Sequence, residues 1–388
     1  MRILMVTRET QADKRYGLGR SLTPLIAEFK RRGIDADTIC QADLGVRALL
    51  WQGKLQQLSH RLLDRLNGQT DFATLFSVVL ERFNMGRLAA KICAKNHYTH
   101  VHCHDPIIAA GYRLFSLFSL SAQVRWGITE HGFGSYSQAI YADGVRMGPR
   151  ILSLLTHWEA HTLSQAAWVV TPSHSAALQL AKDLGCPSIA DTWHVIYHAR
   201  PDINCYHKQA ARQQLNWTDE YFYLLSVGRI APVKQFPLLV EACAKAANAK
   251  PVQLVILGEG EYEPLQDLGK RLQLKRPIQF ASTDNVGLYL SAADLYVSTS
   301  ASESFGLANL EAMTSGVAVL CTAVGAVAEI VDTGGVLVAA NLEAVTSALQ
   351  HLISDNDARL AIAKRGLQRA QSWPDIKTIA DHYEKIYQ

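Results

Sequence analysis

The sequence predicts an α/β protein built from two doubly wound, parallel-sheet domains. Three observations carry that expectation. The 388 residues suit two domains of ordinary size. Short apolar runs alternate with helical patterns in both halves, the mark of repeated βα units. Glycines recur where a strand gives way to a helix, as at Gly17, Gly228 and Gly258. With 48% hydrophobic and 19% charged residues, the chain reads as a soluble globular protein with sizeable cores. A formal charge of +3 is too small to argue for nucleic acid as a partner. The seven cysteines are scattered and include no C-x-x-C pair. That fits buried free thiols in a reducing compartment, and a cytoplasmic location is expected. Met1-Arg-Ile-Leu-Met-Val-Thr reads as a strand, not a signal peptide, and no run of about 18 apolar residues exists to span a membrane.

Arg2 to Thr7 is the first expected strand. A loop, Tyr16-Gly17-Leu18-Gly19-Arg20, follows, then an amphipathic helix with Leu22, Leu25, Ile26 and Phe29 that ends at Gly33. Gly17-x-Gly19 lets the backbone approach a ligand closely, but the third glycine of a dinucleotide fingerprint is missing. Asp35-Ala-Asp37 imitates a metal-binding D-x-D, and the plainer reading is a solvated strand start. Residues 47–95 hold two helical patterns. In the first, Leu50, Trp51, Leu55, Leu58, Leu62 and Leu66 recur at helical spacing, with Arg47, Lys54, Arg61 and Arg65 on other faces. The second carries Arg82, Arg87, Lys91 and Lys95. Two readings stay open: core-packed helices with a solvated basic face, the plainer one, or a basic amphipathic surface making peripheral contact with a membrane.

His100, His102 and His104 alternate, so a strand puts them on one face. A strand end aimed at a cleft, stopped by Asp105-Pro106, is more economical than a metal site, because no other group has matching ligand spacing. Val124 to Glu130 is another strand, ending at His131 and Gly132. Tyr136 to Gly148 reads as a loop, Ile151 to Ser164 as a helix, and Val195 to Pro201 as an inter-domain linker. The second half opens with a strand from Tyr221, then Gly228-Arg229 and Lys234. Two cations so placed can stabilise charge developing on a phosphate oxygen. Val252 to Leu257 runs into Gly258-Glu-Gly260. Ala292 to Ser298 is a buried strand, followed by Ser300-Ala-Ser-Glu303-Ser-Phe-Gly306-Leu-Ala-Asn-Leu-Glu311. Strand, turn and helix start present free N–H groups to an anion. The two acids framing that start are suited to accept from hydroxyls. A ligand with phosphates and many hydroxyls, such as a nucleotide sugar, answers both features.

Glu303 and Glu311, with seven residues between them, resemble the E-x7-E element of the retaining family 4 glycosyltransferases, which have the GT-B fold. Val227-Gly-Arg229-x-x-x-x-Lys234, Thr129-x-His131 and His102-Cys-His104-Asp105 are similar to further segments of that family. The chain departs from it at Tyr197-His198-Ala199, where Pro-Asn-Gly is usual, and at Gln235 and Ala326, where Gly is usual. The resemblance implies two Rossmann-like domains facing a central cleft. Residues 1–200, with a crossover helix at 374–388, would bind the acceptor, and residues 201–373 the nucleotide-sugar donor. It implies a hexosyltransferase that moves sugar from UDP or GDP to a glycan, lipid-linked or small-molecule hydroxyl acceptor, with retention and with no metal or other cofactor. Glu303 would hold donor-sugar hydroxyls, and His131 would face that sugar. Arg229 and Lys234 would neutralise the leaving phosphate. N–H groups around Ser304, Phe305, Gly306 and Leu307 would cradle the diphosphate, and Glu311 the ribose. Gly17, Gly19, Gly228 and Gly258 would allow close approach to the donor. Arg20, His104, Asp105 and Tyr136 would lie on the acceptor side. A non-catalytic partner subunit, or another nucleotide-sugar enzyme such as an epimerase, are the competing readings.

Overall fold

The computed structural model describes residues 1–9, 17–63, 70–118, 124–142, 144–246 and 251–388. Contacts divide the chain into two compact units, Met1–Tyr197 with Ile376–Gln388, and His198–Asp375.

The first unit runs β1 (Arg2–Val6), α1 (Gly17–Arg31), β2 (Asp35–Ile39), α2 (Val46–Leu63), α3 (Phe72–Lys95), β3 (His100–Cys103), α4 (Pro106–Ser116), β4 (Arg125–Thr129), α5 (Tyr136–Ala142), α6 (Pro149–Leu163), β5 (Val169–Thr171), α7 (His174–Asp183) and β6 (Trp193–Val195). Its described strands form one six-stranded parallel sheet in the order β2-β1-β3-β4-β5-β6. The direction of winding reverses between β1 and β3, and such switch points open crevices at the strands' carboxyl ends. Leu4, Val6, Val101, Ile128 and Val169 bury the sheet against Met85, Ala89, Tyr112 and Leu180.

The second unit runs α8 (Lys208–Leu215), β7 (Phe222–Val227), α9 (Phe236–Ala246), β8 (Val252–Leu257), α10 (Glu263–Arg271), β9 (Gln279–Ala281), α11 (Val286–Ala292), β10 (Leu295–Ser298), α12 (Leu307–Thr314), β11 (Val319–Thr322), α13 (Val327–Val331), β12 (Val336–Val338), α14 (Leu342–Ser354) and α15 (Asn356–Gln371). Its sheet is also parallel and six-stranded, β12-β11-β10-β7-β8-β9, with the switch between β7 and β10. The two Rossmann-like sheets match the fold class expected from the sequence. The strands were legible because a strand buried on both faces reads as a nearly continuous apolar run.

The last helix, α16 (Ile376–Tyr387), returns to the first unit. Arg32 after α1 anchors it, with Nη1 donating to Asp381 at 2.5 Å and Glu384 at 2.7 Å. Tyr383 and Tyr387 then pack on Phe29. Inside, His102 is held from both ring nitrogens. Nδ1 lies 2.6 Å from the Tyr387 hydroxyl and Nε2 2.7 Å from the Thr129 hydroxyl.

Three expectations are corrected here. Gly17, Gly19 and Arg20 are not in a loop but open α1, where first-turn N–H groups lack helical acceptors and glycine costs little; Tyr16 lies outside the described residues. Tyr136 begins a helix instead of a loop, because the Glu159 carboxylate accepts from the Tyr136 and Ser137 N–H groups at 2.6 and 3.0 Å. The plainer reading of α2 fails as well. Leu49, Leu50, Trp51, Leu55, Leu58 and Leu62 are exposed, and Gln52 and Ser59 are its buried residues, while Arg65 and Leu66 lie outside the described residues. Periodicity shows that a helix has an apolar face but not which way that face points.

Replacing Tyr387 by Phe leaves a buried His102 nitrogen without its partner. Urea unfolding should report a loss of about 1–3 kcal/mol from the first unit. No change in the midpoint would mean that the hydroxyl contributes nothing to docking α16.

Candidate active site

In the second unit, the candidate residues gather at the carboxyl ends of β7, β8 and β10. Lys234 Nζ donates to Glu303 Oε1 at 2.6 Å, and the Ser300 hydroxyl donates to the same oxygen at 2.7 Å. Both partners are shielded, with Glu303 only 13% exposed. The Glu303 carbonyl in turn accepts from the Ala326 N–H at 2.9 Å. Gly325 makes that approach possible. Its φ is +54°, and a Cβ there would stand 2.1 Å from the Glu303 oxygen. Gly306, at φ +83°, forms the N-cap of α12, so the chain turns sharply before Leu307. Glu311 is buried as the fifth residue of α12, a little over one turn in. Phe305 is buried beneath this turn. His198 meets its ring edge-on at 4.9 Å, and Trp373 lies 5.8 Å from it. The Trp373 indole N–H donates to the His198 carbonyl at 2.9 Å. Loss of water around His198 lowers it to about 4, so its ring is neutral at ordinary pH.

Arg229 and Lys234 follow β7 on one loop. A Cβ on Gly258 would lie 1.9 Å from the Gly228 carbonyl oxygen, so the turns after β7 and β8 touch backbone to backbone. Gln235 closes the loop at φ +46°, a left-handed conformation that favours glycine.

In the first unit, the residues expected from the sequence meet at the ends of β3 and β4. His104 Nδ1 lies 2.9 Å from His131 Nε2, and the His104 ring stacks on His102 at 4.7 Å. Asp105 caps α4, with Oδ1 accepting from the Ile107 and Ile108 N–H groups at 2.8 and 3.2 Å. Its other oxygen is 3.4 Å from Arg82 Nε. Arg82 Nε also donates to the Tyr136 hydroxyl at 2.9 Å. Among the described residues, no group of three or more His, Cys, Asp or Glu side chains is arranged to hold a metal ion.

Sequence reasoning missed several of these groups. Ser300 precedes Glu303 by three residues and carries no signal of its own. Arg82 stood in an apparently solvated basic row, yet its side chain is only 13% exposed. The buried pair Glu130 and Glu159 comes from a strand end and the middle of a helix, so no local motif joins them. Burial is the main cause that raises both acids. Glu130 rises well above the ordinary carboxylate range, helped by the charge of Glu159. Glu159 is pushed up to about 7, against the pull of the Tyr136 and Ser137 N–H groups.

A raised pKa means that the fold favours the protonated acid. This stabilisation is complete below the ordinary value of 4.5 and is lost as pH rises through about 7. The melting temperature should therefore fall between pH 5 and pH 8, and fall less for Glu130→Gln, which mimics the protonated form. Parallel curves for the two proteins would refute this account of the pair.

Comparison with known proteins follows the same division. The profile described as Glycosyltransferase Family 4 matches residues 16–200, and that of Glycosyl transferases group 1 matches residues 207–369. A D-inositol 3-phosphate glycosyltransferase of Salinispora tropica is 26% identical over 336 residues, covering 77% of this chain and 66% of its own. The chain spans 44% of the length of another curated relative. Among solved structures, a sucrose-phosphate synthase from Thermosynechococcus elongatus superposes with a TM-score of 0.77 at 19% identity, over 100% of this chain and 98% of that one. HepE of Anabaena, solved with UDP-glucose, gives 0.72 at 18% identity, over 99% and 98%. Two matching profiles that between them run from residue 16 to residue 369, and a fold shared along the whole chain, agree: this chain belongs to the family 4, group 1 glycosyltransferases of the GT-B fold.

Proposed function

We propose that this chain transfers a hexose from a UDP- or GDP-linked donor to a hydroxyl acceptor, with retention of configuration and without a metal ion. The observation that carries the reading is the Lys234–Glu303 contact of 2.6 Å, set between a glycine-bounded cation loop and the start of α12. An ammonium has three donors, so Lys234 can keep Glu303 and still reach a phosphate oxygen. Glu303 accepts from donor-sugar hydroxyls. Lys234 and Arg229 draw charge onto the leaving diphosphate, the role a metal ion fills elsewhere. N–H groups from Ser304 to Leu307 hold the phosphates, and Glu311 accepts from the ribose hydroxyls. The leaving phosphate takes the acceptor's proton as the acceptor oxygen attacks the same face. His131 contacts the donor sugar. The acceptor, a glycan, a lipid-linked sugar or a small alcohol, is handled by the first unit, where His104, Asp105 and Tyr136 stand. The family membership and the UDP-glucose bound to HepE support the donor class.

The test is a melting screen against UDP, GDP, ADP and their sugar conjugates, with chelator present. A ligand at about 100 times its dissociation constant stabilises by roughly 2.7 kcal/mol. One nucleotide should raise the melting temperature, and Glu311→Gln should weaken that shift. Lys234→Ala should keep the shift and slow transfer by about 10²–10³-fold. If no nucleotide shifts the melt, with or without magnesium, the chain is a partner subunit rather than an enzyme.

A further inference from the structure

Helix α2 is built inside out. Trp51, Leu55, Leu58 and Leu62 follow i, i+4, i+7, i+11 spacing and form one stripe along it. They are 67, 36, 50 and 60% exposed, and Leu50 beside them is 60% exposed. What the helix buries is polar: Ser59, and Gln52, whose side-chain carbonyl accepts from the Asn84 amide of α3 at 2.9 Å. Single exposed leucines are ordinary, but a continuous row of them marks a contact surface.

The row has a charged companion. Arg47, Lys54 and Arg61 recur every seven residues, so they line up beside it. No Asp or Glu occurs in Val46–Leu63, although the whole chain carries 35 acids against 38 Lys and Arg. The face is about 27 Å long at 1.5 Å per residue. It therefore asks for a partner that is apolar below and negative above. A second copy of the chain would set these cations against themselves. An anionic lipid surface answers both rows, because acyl chains take the leucines and phosphate headgroups take the cations. A hollow of about 650 Å³ lined by Gly53, Gln56, Gln57, His60, Arg61 and Ser77 shares Arg61 with the line of cations.

We infer that α2 is the surface by which this chain rests on a membrane containing anionic lipid. The contact is peripheral, since no helix of the described residues is long and apolar enough to cross a membrane. It is independent of the transfer reaction.

Flotation of the full chain with vesicles tests it. Phosphatidylcholine vesicles containing phosphatidylglycerol should carry the protein, and pure phosphatidylcholine vesicles should not. Added salt should release it. Lys54→Gln and Arg61→Gln should each weaken binding about fivefold. Trp51→Ser with Leu58→Ser should weaken it at least about tenfold. An unchanged melting temperature would show that the variants fold. Absence of binding, or equal binding to both vesicles, overturns the inference. So does a dimer in sedimentation that the Trp51→Ser, Leu58→Ser variant dissolves, which would make a second copy the occupant. Nucleotide melting shifts do not depend on α2, so this failure and a failure of the transferase reading are separable.

Discussion

The cation loop of the second unit depends on two backbones pressed together. Any Cβ at residue 258 would overlap the Gly228 carbonyl. With glycine there, the Gly228 N–H reaches the Leu257 carbonyl at 2.8 Å and the Gly258 N–H reaches Ala281 at 2.9 Å. Three neighbouring strands are thereby tied at their carboxyl ends. The Lys234 stem then lies over Gly228, with Cε 3.1 Å from where a Cβ would sit. A lysine free to rotate would lose up to about 2 kcal/mol of side-chain entropy on being fixed by a ligand. Here backbone below and Glu303 above fix it beforehand, and that preorganisation is what electrostatic stabilisation of a leaving group requires.

The first unit reaches its polar arrangement by the opposite route. Burial, not pairing, sets its protonation. His102 is lowered to about 3 by loss of water and is neutral, and Glu130 is raised for the same reason. Both nitrogens of His102 are engaged, one with the Tyr387 hydroxyl and one with the Thr129 hydroxyl. One unit thus offers a fixed cation at its strand ends, and the other sets a neutral His102 and raised buried acids near the Arg82–Asp105 pair.

What the sequence made legible was whatever depends on neighbours in the chain. Buried parallel strands appear as apolar runs, and Glu303, Gly306 and Glu311 share one strand-turn-helix segment. Three features were hidden because they depend on distant partners. Glu159 looks like an ordinary helix acid until α5 is set on it. Arg82 looks solvated until Tyr136 and Asp105 close over it. The outward face of α2 could be read only once Gln52 was found bonded to Asn84.

The departures from the family pattern show how far a motif can be altered, and backbone conformation sorts them. Ala326 replaces a glycine at φ −84°, where any residue fits, so nothing is lost. Gln235 replaces a glycine at φ +46°, where a side chain costs about 1–2 kcal/mol. The cost is borne because its N–H bonds to the Pro232 carbonyl at 3.1 Å and its carbonyl accepts from Leu238 N–H and the Thr299 hydroxyl. Tyr197-His198-Ala199 is different in kind. His198 there packs its ring on Phe305, the residue between Glu303 and Gly306 that roots the turn in the core. A substitution that touches the turn from beneath can change how firmly Glu303 is held without altering Glu303, Ser300 or Lys234 themselves. This departure is therefore a change in support, and it leaves the Lys234–Glu303 contact in place.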